Sequence, residues 1–142
     1  MVCPACENNL TQLVAAGVVL DVCSGGCGGI WFDSFELQKV EAAQEITGDV
    51  EISIPRDLAR KVDYQKRRIC PTCVGVVLMR HFYSKLRRVV VDECPSCGGF
   101  WLDAGELENI RAERESLVAE EKAKAIVTRL DVKYTAGSQV QR

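Results

Sequence analysis

Apolar residues cluster in two short runs near the start of the chain. The runs span residues 10–15 and 18–22, and Gly17 lies between them. Two runs of this length around a glycine predict a β-hairpin. Asp33 follows, with Glu36 three residues later, a spacing typical of a capped helix start. We therefore expect a hairpin and then a helix that ends near residue 46.

The same order of elements returns further along the chain. Residues 76–83 and 86–93 form a second apolar pair around Ser84-Lys85, which is a weaker turn signal. Asp103 repeats the cap position, with Glu106 three residues later. The helix that follows is rich in charged helix formers and is expected to run to about residue 130. Its apolar stripe is thin, which favours a solvated helix over a long coiled coil.

These elements belong to an internal repeat. Residues 3–6 match residues 70–73, and residues 27–37 match residues 97–107, where both copies begin Cys-Gly-Gly-x-Trp-x-Asp and end Glu-Leu. Self-similarity of this kind marks a repeated structural unit. We predict a small metal-stabilised α+β fold with two tandem zinc ribbons, each a β-hairpin plus a following helix, and a long charged C-terminal helix. The predicted divisions are a first ribbon at 1–47, a charged linker at 48–69, a second ribbon at 70–111, and a helix extension with a flexible tail at 112–142.

Eight cysteines carry the chemistry of both units. Units of about 50 residues bury little apolar surface and usually need a metal or a disulfide. Cysteine pairs at the two ends of a hairpin bring four thiolates together, which is the tetrahedral ligand set of a structural zinc. We predict two zinc ions per chain, held in the first unit by Cys3, Cys6, Cys23 and Cys27 and in the second by Cys70, Cys73, Cys94 and Cys97.

Glycines support these two sites. The first unit has Cys-x3-Cys where the second has Cys-x2-Cys, and Gly25 and Gly26 are expected to absorb the extra residue. Gly28 and Gly98 directly follow the last ligand, where a positive φ is expected.

The cysteines have three alternative uses. A disulfide scaffold is disfavoured because the chain starts without a secretory signal, so a reducing cytoplasmic location is expected. A thiol redox role needs one Cys-x-x-Cys pair beside a βαβ unit rather than four pairs on hairpins. Iron stays open as an alternative metal, because four tetrahedral sulfurs do not by themselves distinguish it from zinc.

The net charge of −2 hides an asymmetry along the chain. Residues 1–50 hold one basic and seven acidic side chains, a net charge of −6, whereas the rest of the chain is at +4. Each zinc with four thiolates adds about −2. A nucleic-acid contact would therefore have to come from a local basic surface.

The second hairpin tip is such a surface. The first tip is uncharged, whereas the second interleaves basic and aromatic residues that suit phosphates and stacked bases. The candidate contact residues are Arg80, His81, Phe82, Tyr83, Lys85, Arg87 and Arg88, and the cluster Lys66-Arg67-Arg68 would extend them. A solvated hairpin whose charges only maintain solubility is the alternative.

Two tryptophans and one histidine complete the list of candidates. Trp31 and Trp101 recur between the metal turn and the helix, where each is expected to cover the metal turn and fill a small core, with base stacking as the alternative. His81 is not needed as a ligand, because four cysteines already close each site. We find no catalytic constellation and predict that the protein is not an enzyme.

The repeated motif resembles that of a known family. The motif Cys-Pro-x-Cys, then Asp-x-Cys, then Cys-Gly-Gly-(Ile/Phe)-Trp-(Phe/Leu)-Asp-x-x-Glu-Leu is similar to that of the bacterial family of transcription factor IIB-type zinc ribbons, over residues 3–41 and 70–111. The resemblance implies a zinc ribbon fold, and it implies a role in transcription only by analogy. The Cys-x3-Cys spacing departs from the family pattern.

These observations lead to two functional hypotheses. The first is a non-enzymatic adaptor that contacts nucleic acid or the transcription machinery through the second tip. The second is a protein–protein interaction module with structural zinc, which docks through the uncharged first tip and the C-terminal helix or forms a homodimer through that helix. Thiol redox chemistry or metal storage is a third, weaker hypothesis, and no membrane contact is expected.

Overall fold

A computed structural model describes residues 1–48 and 50–140, with side chains to residue 130. The two predicted hairpins form, and each is followed by a short third strand and a helix. The first copy contains β1 (Thr11–Ala15), β2 (Val18–Val22), β3 (Ile30–Phe32) and α1 (Glu36–Thr47). The second contains β4 (Met79–Phe82), β5 (Val90–Glu93), β6 (Phe100–Leu102) and α2 (Glu106–Val140). This is the metal-stabilised α+β fold that the sequence predicts.

The two ribbons share one antiparallel sheet. Its strand order is β1-β2-β3-β6-β5-β4, and the joint is the antiparallel pair β3–β6. Trp31 lies opposite Trp101 at the centre of this pair. The two copies are therefore related by an approximate two-fold axis between β3 and β6. One hairpin lies at each outer edge of the sheet. Sequence self-similarity indicates the two units but not this pairing, because it carries no information on how copies contact each other.

Both helices pack on the same apolar cluster of the sheet. Leu37 and Val40 of α1 and Leu107 and Ile110 of α2 are buried in it with residues from both ribbons. Glu41 is buried and lies 3.0 Å from both Arg111 and Arg114 of α2. One apolar core thus spans the two repeats. Beyond Val118 the described side chains of α2 are exposed, and the helix continues through the segment predicted as a tail.

The helix starts differ from the predicted caps. Asp33 and Asp103 were expected to cap α1 and α2 with their side chains, but that prediction is wrong. Phe35 is the N-cap of α1 and makes no side-chain cap hydrogen bond. Half of the predicted capping box is present, because Glu36 and Glu106 accept hydrogen bonds from the backbone N–H groups of the two aspartates at 2.8 and 2.7 Å. The aspartate side chains bind elsewhere, as described below.

The segment between the ribbons lies against the turn that carries Cys23 and Cys27 of the first site. Gly25 donates its backbone N–H to the carbonyl of Pro55 at 2.8 Å, and Asp57 donates to the carbonyl of Gly26 at 2.9 Å. Ile52 and Ile54 pack against the apolar core, while Ser53 between them is exposed. Among the described residues 50–69 there is no helix. We call residues 50–57 the strap.

Candidate metal centres

The four predicted cysteines of each ribbon converge on one point. In each set the four Sγ atoms lie within 4.8 Å of one another, and all eight thiols are free of disulfides. Each set combines a loop before the hairpin with the loop before the third strand, so the hairpin closes the site as predicted. The sets are Cys3, Cys6, Cys23 and Cys27, and Cys70, Cys73, Cys94 and Cys97.

The sulfur spacing fits a tetrahedral metal. A tetrahedron with metal–sulfur bonds of about 2.3 Å has edges of about 3.8 Å. In the first site the Sγ atom of Cys6 lies 3.7 Å from that of Cys3 and 3.5 Å from that of Cys23. In the second, Cys70 and Cys97 are 3.8 Å apart, and Cys73 and Cys94 are 3.9 Å apart. Both sets thus fit zinc, one ion in each.

Backbone amides point at the sulfurs, as expected around thiolates. The N–H groups of Ala5 and Cys6 each lie 3.4 Å from the Sγ of Cys3. In the second site, Thr72 and Cys73 donate to the Sγ of Cys70 at 3.4 and 3.3 Å. Such bonds stabilise negative sulfur and orient the ligand.

Contacts among the thiols favour ionisation of one partner. The hydrogen bond with Cys3 lowers the pKa of the Cys27 thiol to about 5, while the same contact raises the pKa of Cys3 well above its usual range. In the second site burial opposes ionisation of Cys94, but the amides of Cys97 and Ser96 lower its pKa to about 7. Each site therefore offers at least one ready thiolate, and binding of zinc must displace the remaining protons.

Glycines make the first site possible despite its longer turn. Gly25 has a φ of 72°, and Gly28 and Gly98 have φ values of 79° and 74°, as the sequence predicts. A methyl group on Gly26 would lie 2.8 Å from Nδ2 of Asn8 and would also collide with the sulfur of Cys23. The longer turn thus fits because Gly26 has no side chain and Gly25 adopts a positive φ.

The tryptophans bridge the two ribbons. Both indoles are fully buried in one cluster with cysteines of both sites. Their position over the metal turns agrees with the sequence prediction, but each ring also packs on the other ribbon. A methyl group on Gly29 would lie 2.7 Å from Cη2 of Trp101, and one on Gly99 would lie 2.7 Å from Cη2 of Trp31.

The aspartates that were expected to cap the helices hold these indoles instead. Asp33 Oδ1 accepts from Trp31 Nε1 at 3.0 Å, and Asp103 Oδ1 accepts from Trp101 Nε1 at 3.1 Å. In the second ribbon the other oxygen, Oδ2 of Asp103, lies 2.8 Å from Arg68. In each ribbon the aspartate side chain thus binds the tryptophan beside the metal turn, while its backbone N–H binds the glutamate at the start of the helix.

Arg68 is a residue that sequence reasoning misplaced. It was predicted to extend a basic surface, but its side chain is buried between Asp92, at 2.9 Å, and Asp103. The equivalent position of the first ribbon is Met1, so the repeat gave no signal for this ion cluster. Lys66 pairs with Glu7 at 2.9 Å, and only Arg67 of the predicted cluster is exposed and unpaired among the described residues.

Arg60 is a second residue that the sequence did not single out. A hydrogen bond with the thiol of Cys6 raises the pKa of its guanidinium. Arg56 lies nearby, with its aliphatic stem against Gly28. The segment after the strap thus places a cation beside the first four-thiolate site.

The predicted contact surface at the second tip is only partly available. Arg80 donates to Asp92 at 3.0 Å and also to the carbonyl of Tyr64. His81 Nε2 lies 2.7 Å from Glu93, and Tyr83 packs against the core. The remaining candidates are exposed: Phe82, Lys85, Arg87 and Arg88.

No helix in the described part of the chain is long and apolar enough to cross a membrane. Comparison with curated proteins gave no match, and comparison with solved structures gave none either. The model of the transcription factor zinc-finger family, a transcription factor IIB-type zinc ribbon, matches residues 2–43 and 69–113, which are the two ribbons with their complete cysteine sets. The chain is therefore a zinc-binding member of the transcription factor zinc-finger family, with two tandem ribbons.

Proposed function

We propose that this protein is a non-enzymatic zinc-stabilised adaptor that contacts nucleic acid or the transcription machinery through the second hairpin tip. The observation that carries this proposal is the exposed group Phe82, Lys85, Arg87 and Arg88 at the outer edge of the sheet. Arg87 and Arg88 have no ion-pair partner among the described residues. An exposed aromatic ring beside unpaired guanidinium groups suits a single strand, in which bases stack and phosphates need cations.

Zinc in this proposal is structural. Four cysteines occupy the four tetrahedral corners of each site, whereas catalytic zinc keeps an open position for water or substrate. Eight free thiols also suit a reducing compartment, so we place the protein in the cytoplasm.

The test is binding of a fluorescent single-stranded oligonucleotide at low salt, measured by polarisation. Three phosphate contacts predict a log–log salt slope of about −2 for a single strand. Reversing the charge at Arg87 and Arg88 to Glu should abolish binding, while elemental analysis still returns two zinc ions. The matched control reverses Lys39 and Lys61, which are exposed and belong to α1 and to the segment between the ribbons rather than to the second ribbon. Equal losses in the two double variants, or no wild-type binding, would contradict the proposal.

A second candidate function is protein docking through α2. The described part of this helix beyond Val118 is exposed, including Ile126, Val127 and Leu130. A homodimer through this face would hide them. Sedimentation equilibrium tests it: a dimer that Ile126→Glu dissociates supports the homodimer, whereas a monomer at high concentration contradicts it.

A further inference from the structure

The shared sheet ends in two edge strands, β1 and β4, and each has one side of its backbone without a neighbouring strand. In an antiparallel pair, successive residues point their N–H and C=O groups alternately toward the neighbour and away from it. Leu10 donates its N–H to the carbonyl of Met1 at 3.0 Å, on the side away from β2. By this alternation Gln12 and Val14 of β1 also face outward. The outer edge of β1 is therefore defined by the backbone groups of these two residues.

The outer edge of β4 is protected. Leu78 donates its N–H to the carbonyl of Arg68 at 2.9 Å, so the outward residues of β4 are Arg80 and Phe82. The guanidinium of Arg80 binds the carbonyl of Tyr64, which holds the segment before Arg68 beside the strand. A charged side chain and a covering segment are two devices by which edge strands avoid pairing with another chain.

The outer edge of β1 has neither device. Beyond Leu10, no described residue makes a hydrogen bond to this side of the strand. No charged residue occurs between Glu7 and Asp21, so the whole first hairpin is uncharged. Its five residue pairs continue without a bulge to the two-residue turn at Ala16-Gly17. A regular, uncharged and uncovered edge is suited to the addition of a further strand.

Exposed apolar side chains accompany this edge. Val14 and Val19 are cross-strand neighbours, and their side chains are 69% and 46% exposed. They lie on the face opposite to that of Leu13 and Ala15, which pack with the apolar core. Exposed β-branched residues at an edge provide packing for an added strand.

The pattern of outward groups is complementary to itself. When two β1 strands run antiparallel about a two-fold axis, Gln12 of one copy lies opposite Val14 of the other, and the reverse. Both pairs consist of outward residues, so each exchanges two N–H···O=C bonds and no outward group is left without a partner. The two copies of Leu13 then meet at the axis.

Charge also favours a second copy as the added strand. A charged partner strand would find no counter-charge on the first hairpin, whereas a second copy brings an equally uncharged strand. The acidic character of the first ribbon does not oppose this contact. Three of its glutamates, Glu7, Glu41 and Glu45, form ion pairs with basic residues from the second half of the chain or the segment before it.

We propose that the outer edge of β1 is a homodimerisation surface, at which β1 pairs antiparallel with β1 of a second copy. The pairing joins two six-stranded sheets into one continuous sheet. The β4 hairpins then lie at the two far ends, so the dimer presents one second tip at each end. This surface is distinct from the exposed face of α2 and does not depend on nucleic-acid binding.

The experiment combines sedimentation equilibrium and amide hydrogen exchange on the zinc-loaded full chain. We measure both up to about 1 mM, a concentration at which weak specific dimers are populated. We expect a concentration-dependent dimer in which the amides of Gln12 and Val14 become protected, while that of Phe82 on the other edge does not change with concentration. A monomer at the highest concentration overturns the proposal and leaves the edge to a strand of another protein. A dimer in which Gln12 and Val14 gain no protection overturns it as well.

Three variants separate this surface from others. Val14→Lys brings two like charges to the pairing and should raise the Kd of the dimer at least about tenfold. Met79→Lys makes the same change at a residue of β4 that is 58% exposed, and it should leave the Kd unchanged. Ile126→Glu on α2 should leave it unchanged too. Elemental analysis that returns two zinc ions checks that each variant is folded. An unchanged Kd for Val14→Lys, or equal losses for Val14→Lys and Met79→Lys, would assign the dimer to another surface and refute the proposal.

Discussion

Trp31 of the first ribbon lies directly opposite Trp101 of the second, and each indole covers a glycine of the other ribbon. The contact is reciprocal, so neither ribbon completes its own core. The tryptophan that each repeat predicts as local packing thus also links the two repeats.

Gly99→Ala tests this contact. The backbone of Gly99 is not at positive φ, so alanine is penalised by overlap, mainly with the Trp31 ring and also with the carbonyl oxygen of Phe32 at 3.0 Å. We expect a loss of about 1–3 kcal/mol in the free energy of unfolding, as for overpacked cores. The control is Gly75→Ala, where φ is 69° but nothing lies within 4 Å of the added methyl group. The loss at Gly75 reports backbone strain without overlap, so the test is the loss at Gly99 itself: a value below about 1 kcal/mol in urea unfolding would contradict the interlock.

Because the two ribbons share one sheet, loss of the metal ion from one ribbon should also destabilise the other. Cys94→Ser removes a ligand of the second site, so elemental analysis should return one zinc instead of two. Because β3 pairs with β6, unfolding of the second ribbon exposes the edge of the first and its apolar core. We therefore expect the first ribbon to lose stability as well, seen as a lower midpoint of the fluorescence transition of Trp31 in a Trp101→Phe background. An unchanged midpoint would mean that the ribbons fold independently.

Local spacing predicted much of this molecule, and the reasons are physical. Two cysteine pairs at the ends of a hairpin place four thiolates around one point, which is the ligand set of a tetrahedral metal. The spacing of the cysteines therefore predicts all eight ligands. The third strands were missed because Ile30–Phe32 and Phe100–Leu102 are each three residues long, too short for an alternating pattern. The position of Asp33, three residues before Glu36, is typical of a helix cap, so the spacing alone predicts one. Its carboxylate instead accepts a hydrogen bond from the indole N–H of Trp31, which the spacing does not indicate.

Arg68 should be the most sensitive basic residue of the chain. Its replacement by methionine leaves Asp103 without its counter-ion and Asp92 with Arg80 alone, and breaking a buried pair costs about 3–5 kcal/mol. Arg67→Met, next to it but exposed, should change the free energy of unfolding by less than about 0.5 kcal/mol. Chemical denaturation of the two variants in excess zinc measures the difference. Similar stabilities would show that Arg68 is not the counter-ion of this cluster.

The two indole-binding aspartates offer a matched pair. Asp33→Ala removes the acceptor of Trp31, whereas Asp103→Ala removes the acceptor of Trp101 and one partner of Arg68. Asp103→Ala should therefore cost more stability, by about 1–3 kcal/mol for the additional charged hydrogen bond. Zinc content should stay at two in both variants, because neither carboxylate is a ligand. Equal losses on thermal unfolding would mean that Arg68 finds sufficient compensation in Asp92.

Glu106 should make stability depend on pH near neutrality. Burial and the neighbouring Asp103 raise the pKa of its carboxyl to about 7, against an ordinary value of 4.5. A carboxyl whose pKa is raised on folding binds more protons in the folded state, so its contribution is fully present below pH 4.5 and is lost as the pH rises through 7. Glu106→Gln keeps an acceptor for the N–H of Asp103 but cannot ionise. The stability of this variant relative to the wild type should therefore rise from pH 5 to pH 8.

The comparison has to be made as a difference, because acid also protonates the cysteines and weakens zinc binding in both proteins. Urea unfolding in excess zinc at pH 5, 6, 7 and 8 gives that difference, in which the metal contribution cancels. Glu36→Gln is the control at the equivalent position, where burial also raises the pKa but by less. A flat difference for Glu106→Gln across this range would show that the carboxyl ionises normally in the folded protein. The buried contact with the backbone of Asp103 would then hold a charged group at all four pH values.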